Sequence, residues 1–403
     1  MFKLILKMAW KNAFLRVSRT VLVIIMIGVS MSMMLAIQGI YDGMVLNMVD
    51  KSKRSDSGEI SLYAKEFRVE RDIKYSIKNS DEIREEIESY EDVESVVLRL
   101  RADGLASTAR KSSFASLVGI DLKDEEKFGK FSQFLKRGKI ELNKRDAIIG
   151  IEIAKTLKLK IGSKLIFSTQ DSIAEINSIA LKIVGVVQTT NISLDKTAIF
   201  VDIKTINKFL SMPKGEVTQI AIRTDNQNIY KKLKIKYNHL EVKTFLELQP
   251  LMSMMQDMVV IFNSVTFFIM MIVVFIGIIG VMYVSILDRV REFGIMIGIG
   301  MSYRYIRLQI VLESIFIGFT GYILGVILGL IFLVYLKEYG LDLSSFSDAM
   351  ESWGMESVLY ATIKLSYFTT TFVAIMSASV LSVFLPLRKI KHLNPVEVIK
   401  SEK

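Results

Sequence analysis

Four uncharged apolar windows constrain this chain more than any other feature. Thr20–Tyr41 reads TVLVIIMIGVSMSMMLAIQGIY, and Met258–Leu287, Ser314–Leu336 and Leu365–Leu387 are equally free of Asp, Glu, Lys and Arg. A helix crossing a bilayer needs about 20 apolar residues at about 1.5 Å rise each. A charge at its centre costs about 2.5–3.5 kcal/mol on insertion, so uncharged windows of this length predict transmembrane helices. The composition agrees. Mean hydropathy is +0.38 although 23% of residues are charged, which requires apolar and charged residues to be segregated along the chain. The first window is longer than the apolar region of a signal peptide, about 7–15 residues, so an uncleaved anchor is expected.

The charges between the windows set the orientation. Lys3, Lys7, Lys11, Arg16 and Arg19 precede the first window with no acid among them. Arg289, Arg291, Arg304 and Arg307 outnumber Asp288 and Glu292 between the second and third. The tail carries Arg388, Lys389, Lys391, Lys400 and Lys403 against Glu397 and Glu402, whereas 337–364 carries Glu338, Asp342, Asp348, Glu351 and Glu356. Positive charge stays on the cytoplasmic side. The expected plan is therefore a cytoplasmic amphipathic helix (1–18), transmembrane helix one (19–46), an extracytoplasmic domain (47–255) and helix two (256–287). A cytoplasmic connection (288–304), helix three (305–336), an outside loop (337–364), helix four (365–387) and a cytoplasmic tail (388–403) follow. The net charge of +10 is read as attraction to anionic membrane lipid rather than to nucleic acid.

The long outside segment mixes strand and helix patterns. Alternating apolar residues predict strands at Glu59–Tyr63, Val93–Leu100, Ser112–Gly119, Lys164–Ser168, Ala180–Val187, Ala198–Val201 and Gln219–Arg223. Helices are expected at Asp81–Tyr90, Ile151–Leu159, Thr205–Leu210 and Ile229–Lys236, with Gly162 as a stop or turn. The fold class is thus an α-helical membrane protein with four transmembrane helices and a large α+β extracytoplasmic domain between the first and second.

Enzyme chemistry finds little support. There is no cysteine, and His239 and His392 lie far apart, so neither a thiol nucleophile nor a His-rich metal site is expected. No G-x-x-x-x-G-K-S/T phosphate loop occurs, and no catalytic residue, metal or cofactor is assigned to these residues. The cytoplasmic segments carry the more specific signals. Leu6, Trp10, Ala13 and Val17 form one helical face and Lys3, Lys7 and Lys11 another, which predicts a helix along the inner leaflet. The connection 288–302 combines charges with Phe293, Ile295, Met296 and Ile299, a pattern suited to contacting a cytoplasmic partner. Gly321, Gly325 and Gly329, and Gly28 with Ser32, recur every four residues, the spacing that lets membrane helices approach closely.

The layout resembles the MacB/FtsX superfamily of ABC transporter permeases, which have one span, a large outside domain and three further spans. Arg291-Glu292-Phe293-Gly294-Ile295-Met296 through Gly300-Met301-Ser302 is similar to the family's REIGILRALGAS coupling segment, with Ile297-Gly298 departing from it. Leu385-Pro386-Leu387-Arg388 with Asn394-Pro395-Val396-Glu397-Val398-Ile399 resembles the family ending PARRAARLDPVEALR. Ala147–Gly150 with Ala154, Leu157 and Ile161-Gly162, and Ile183–Val187, resemble two stretches of its outside domain. The length is most similar to LolC/LolE-type lipoprotein-releasing permeases.

That resemblance implies a non-catalytic subunit in the bacterial inner membrane, with both termini cytoplasmic. It implies a cytoplasmic ABC ATPase dimer that binds Mg-ATP, a second permease copy or paralogue, a lipoprotein substrate and a periplasmic carrier. The expected function is extraction of lipoproteins by a mechanical stroke. The alternatives are a MacB-like exporter, an FtsX-like division regulator, or a membrane-anchored sensor without an ATPase. Arg291, Glu292, Phe293, Gly294, Ile295, Met296 and Gly300 are the expected coupling residues. Methionine suits a surface accepting variable chains, so Met33, Met34, Ile37, Met254, Met258 and Phe262 are expected to line a cleft for acyl chains.

Overall fold

Three of the uncharged windows lie within, and the fourth begins with, a helix long and apolar enough to cross a membrane. These are α2 (Val17–Ser55), α3 (Pro250–Asp288), α5 (Tyr303–Glu338) and α6 (Leu365–Ser382), alongside the shorter α1 (Phe2–Ala13) and α4 (Val290–Gly298). The structure is a computed structural model and describes residues 2–15, 17–189, 191–347, 350 and 357–387 except 385. The basic tail, most of its family-like ending, and Asp348, Glu351 and Glu356 of the acidic loop lie outside the described residues.

The chain divides into two compact units. Met1–Val45, Gln256–Ser344 and Val358–Lys403 form the membrane unit, built around the apolar helices. The packing of α2 on α5 follows the small-residue spacing. A Cβ on Gly321 would lie 2.8 Å from Ile27, on Gly325 2.6 Å from Met31 Sδ, and on Gly329 2.6 Å from Leu35. Side chains of α2 at four-residue intervals therefore sit in a groove that α5 has only because it carries glycine there. Gly28 returns the arrangement, 2.9 Å from Leu324, and the buried Ser32 donates its hydroxyl to Val29 O.

α1 differs from its expected orientation. Ile5, Ala9 and Ala13 are buried, α1 packs on α5, and the Trp10 ring meets Phe316 edge-on at 5.1 Å. Leu6 and Trp10 remain exposed, and Val17 belongs to the next helix. Alanine lets α1 come closer to a neighbouring helix than leucine would, so the small residues choose the buried face.

The second unit, Leu46–Met255 with Ser345–Ser357, holds the α+β domain. Its strands are β1 (Ile60–Ala64), β2 (Val93–Ser107), β3 (Ser112–Ile120), β4 (Leu135–Gly138), β5 (Asp146–Gly150), β6 (Lys164–Gln170), β7 (Ile176–Val187), β8 (Ala198–Asp202), β9 (Gln219–Thr224) and β10 (Leu240–Thr244). Two lobes share β2. Its first half pairs with β9 in an antiparallel sheet of order β10-β1-β9-β2. Its second half pairs with β3 and, at Leu105–Ser107, with β6. The circuit β2-β3-β8-β5-β7-β6 then returns to β2, a closed six-stranded barrel.

Alternate residues fill the barrel: Ala102, Ala106, Ala115, Leu117, Ala147, Ile149, Phe167, Ile183 and Ile199 are all buried. Six strands enclose little volume, so small residues are needed among the large ones. A Cβ on Gly104 would lie 2.3 Å from Ser168 O and 2.8 Å from the Phe167 ring. The sheet lobe buries Leu62, Val96, Ile220 and Ile222 under Ile87 of helix Ser80–Glu88 and Leu233 of helix Gln227–Lys236.

The opposite face of that sheet carries a buried ionic cluster. Arg99 donates Nε to Glu125 Oε1 at 2.5 Å and Nη2 to Glu125 Oε2 at 2.7 Å, and it also donates to Asp56 O. Arg101 donates to the Asp56 carboxylate and, at 2.9 Å, to Gln219. The cluster thus ties the residue just beyond α2 to β2 and to helix Leu122–Gly129.

Candidate coupling site

α4 fills the connection between α3 and α5, and its pattern dictates which face points inward. Phe293 and Gly294 are buried, Met296 is half-buried, and Arg291, Glu292, Ile295, Ile299 and Gly300 are exposed. The expectation that all of the motif meets a partner therefore needs correction at two positions. Phe293 and Gly294 pack into the bundle core, because α4 is amphipathic and its apolar face is claimed by α3 and α5. Gly300 has φ +90°, a left-handed conformation that favours glycine, and lets the chain turn into α5. Ser302 caps α5, accepting a hydrogen bond from Arg304 N at 3.4 Å.

The charged centre of this region is a pair the sequence reading passed over. Arg289, almost wholly buried, donates Nη1 to both oxygens of Glu313 at 3.2 Å and Nε to Glu292 Oε2 at 2.9 Å. Its guanidinium lies 5.1 Å from the Phe293 ring centroid. Glu313, on α5, is 2% exposed. Next to this pair Arg19 of α2 donates to Asp288 at the end of α3 at 2.7 Å. A cavity of about 200 Å³ is lined by both pairs and by Asn12, Thr20 and Ser285. One turn before Glu313, Gln309 is buried and its Nε2 finds no acceptor among the described residues.

A charge deep in a membrane helix is costly and usually functional. In the sequence Glu313 directly precedes the uncharged window Ser314–Leu336. Its position three turns inside α5 is the signal that could have marked it. Among the described residues the arrangement holds no group of acids and histidines suited to a metal. It joins α4 to α5 through one guanidinium shared by two carboxylates.

The proposed acyl-chain cleft is only partly assembled. Met33, Met258 and Phe262 are exposed, Ile37 is half-buried, and the Phe262 ring meets Tyr41 at 4.5 Å. Met34 is 2% exposed and faces the bundle core, so it cannot line an open surface. Met254 is exposed but belongs to the other unit.

Comparison with known proteins decides the family. Residues 20–234, more than half of the chain, match the MacB-like periplasmic core domain, and residues 264–395 match the FtsX-like permease C-terminal domain. The chain belongs to the MacB/FtsX superfamily of ABC transporter permeases. The macrolide export ATP-binding/permease protein MacB of Haemophilus ducreyi is 26% identical over 264 residues, covering 60% of this chain and 35% of that protein. The MacB of Pasteurella multocida is 26% identical over 258 residues, covering 60% and 37%. The chain thus spans about a third of the length of the curated relatives it matches. Among solved structures, the periplasmic region of MacB from Actinobacillus actinomycetemcomitans is 14% identical, with a TM-score of 0.34 over 48% of this chain and 92% of that one. In this MacB/FtsX permease, α4 and the Arg289–Glu313 pair fall within the FtsX-like segment, and the sheet and barrel lobes fall largely within the MacB-like one.

Proposed function

We propose that this chain is the permease part of a MacB-like exporter, driven by an ABC ATPase that docks on the exposed face of α4. In this reading Arg291, Glu292, Ile295, Ile299 and Gly300 form the docking face. Arg289 passes the displacement of α4 to Glu313 and hence to α5. Mg-ATP is bound and hydrolysed by the ATPase, and a second copy or a paralogue completes the permease. The positive-inside charges support a reading in which both termini and α4 are cytoplasmic and the α+β domain lies outside the bacterial inner membrane.

The observation that carries the reading is the buried Arg289–Glu313 link between the segment with an exposed apolar-and-charged face and a spanning helix. The relatives named above are exporters, and this favours export over lipoprotein release. A lipid substrate keeps one specific support, the exposed Met33, Met258 and Phe262. The test is co-reconstitution with an ABC ATPase encoded beside this chain. Export predicts ATP-dependent loss of a macrolide from loaded vesicles. Lipoprotein release predicts photo-crosslinks from positions 33, 258 and 262 to a triacylated lipoprotein and no macrolide flux. Failure of the ATPase to bind the chain overturns both.

A further inference from the structure

At the other end of the spans from α4, a second charged group sits among apolar helices. Asp42 of α2 is only 14% exposed, whereas its partner Lys364 is 43% exposed. The Asp42 carboxylate accepts from three donors on two other segments, α3 and the start of α6. Lys364 Nζ at 2.5 Å and Tyr367 OH at 2.6 Å both donate to Oδ2, and Asn263 Nδ2 donates to Oδ1 at 3.2 Å. One carboxylate therefore holds α2, α3 and the start of α6 together.

The backbone reinforces the same junction. Thr362 N donates to Gly39 O at 2.9 Å, one turn before Asp42. A Cβ on Gly39 would lie 2.9 Å from Thr362 O, and one on Gly43 would lie 2.1 Å from Tyr360 O. Residues 360–362 can lie directly on α2 only because both positions are glycine.

The donor count in this junction is unbalanced. Gln38 Oε1 and Asn263 Oδ1 are buried and have no donor among the described residues. Gln38 is one helical turn from Asp42, on the same face. Buried acceptors left without donors are costly, and Lys364 is 43% exposed, so water can compete for its bond to Asp42.

We propose that Asp42, Lys364, Tyr367 and Asn263 form a releasable latch that holds the outer ends of α2, α3 and α6 together. Opening it frees α6 from α2 at that end and lets water reach the interface below Tyr367. The latch stands on these contacts alone and needs neither the ATPase nor the cargo of the function proposed above.

The chain has no cysteine, so one introduced thiol reports its own exposure. Thr371 is fully buried one turn below Tyr367, and Thr371→Cys is the probe. Ser379→Cys, equally buried two turns further along α6, is the control. The full chain in lipid nanodiscs is labelled with a charged maleimide. Asp42→Asn and Lys364→Gln are each expected to speed labelling at position 371 at least tenfold and leave position 379 unchanged. Tyr367→Phe keeps the ring, removes one donor and is expected to give a smaller rise, which keeps the test open if Asp42→Asn does not fold. The exchange Asp42→Lys with Lys364→Asp rebuilds the ion pair alone, since an ammonium cannot accept from Tyr367 or Asn263, and is expected to slow labelling only part of the way back. Unchanged rates at 371 overturn the latch. Equal acceleration at 371 and 379 also overturns it, since that is general loosening. An exchanged pair that labels as fast as Asp42→Asn overturns the ionic assignment.

Discussion

Two buried arginine–glutamate pairs in this chain are built to opposite specifications. In the α+β domain, Arg99 grips both oxygens of Glu125 at 2.5 and 2.7 Å, and Asp56 takes up another of its donors. In the membrane unit, Arg289 reaches both oxygens of Glu313 from a single nitrogen at 3.2 Å and divides its charge with the exposed Glu292. The first pair is enclosed between a sheet and a helix. The second borders a cavity of about 200 Å³, with an unpartnered Gln309 amide nearby. A bidentate, fully satisfied pair fixes one geometry. A shared, longer pair beside free space tolerates several. The contrast locates the rigid part of the molecule and the part suited to movement.

The contrast breaks most visibly if Glu125→Ala is tolerated. Removing one partner of a buried pair costs about 3–5 kcal/mol, so pulse proteolysis of the full chain in urea should show the domain opening at much lower denaturant. Glu313→Gln should cost less, about 1–3 kcal/mol, since a neutral acceptor can still face Arg289. Its larger effect should be functional: ATP hydrolysis by the reconstituted complex continues while ATP-dependent transport falls. Equal losses of stability in the two variants would erase the distinction between the pairs.

Asp195 sharpens the comparison, being a buried acid of the rigid domain with no basic partner in hydrogen-bond contact. Burial pushes its carboxyl up to about 7, against the opposing hydrogen bonds from Thr189 N and Oγ1 and with a further upward push from Glu152. A raised acid holds its proton in the folded state at pH values where the unfolded chain has lost it. Stability should therefore fall as pH rises from about 4 to about 7, by at most about 1.4 kcal/mol per unit, and level off above. Asp195→Asn should flatten that slope in denaturant titrations and raise stability at pH 8; an unchanged slope rejects the assignment. The smallest effect on folding is expected at Ile299, which is 81% exposed. Ile299→Glu should change stability by no more than about 0.5 kcal/mol yet weaken co-purification of the ATPase, and retained binding would move the docking face elsewhere.

The spans were legible because exclusion of charge from hydrocarbon acts on every residue of a window. Strands with clean alternation, such as Gln219–Thr224, were legible for a similar reason. β2 was read only to Leu100, because Asp103 and Gly104 look like a turn. Only the closed barrel shows why a glycine is required there. β10 is not predicted although Leu240 and Val242 alternate with Glu241 and Lys243, because five residues with two apolar positions make a weak signal at the edge of the sheet. At the coupling site the motif located α4, but its inward face depends on neighbours far away in sequence. Phe293 was therefore assigned to the wrong surface. Arg289 and Glu313, 24 residues apart, become partners only once α4 has folded back against α5. Asp42 and Lys364, separated by 322 residues, are further still from any local signal.

β2 runs for fifteen residues, from Val93 to Ser107. One half is a rib of the open sheet and the other a stave of the barrel, so a single unbroken backbone serves both lobes. A load applied to either lobe runs along peptide bonds and in-plane ladders, which are stiff, and meets no flexible linker on the way. The domain should behave as a lever arm of low compliance, extending in a single rupture under an optical trap.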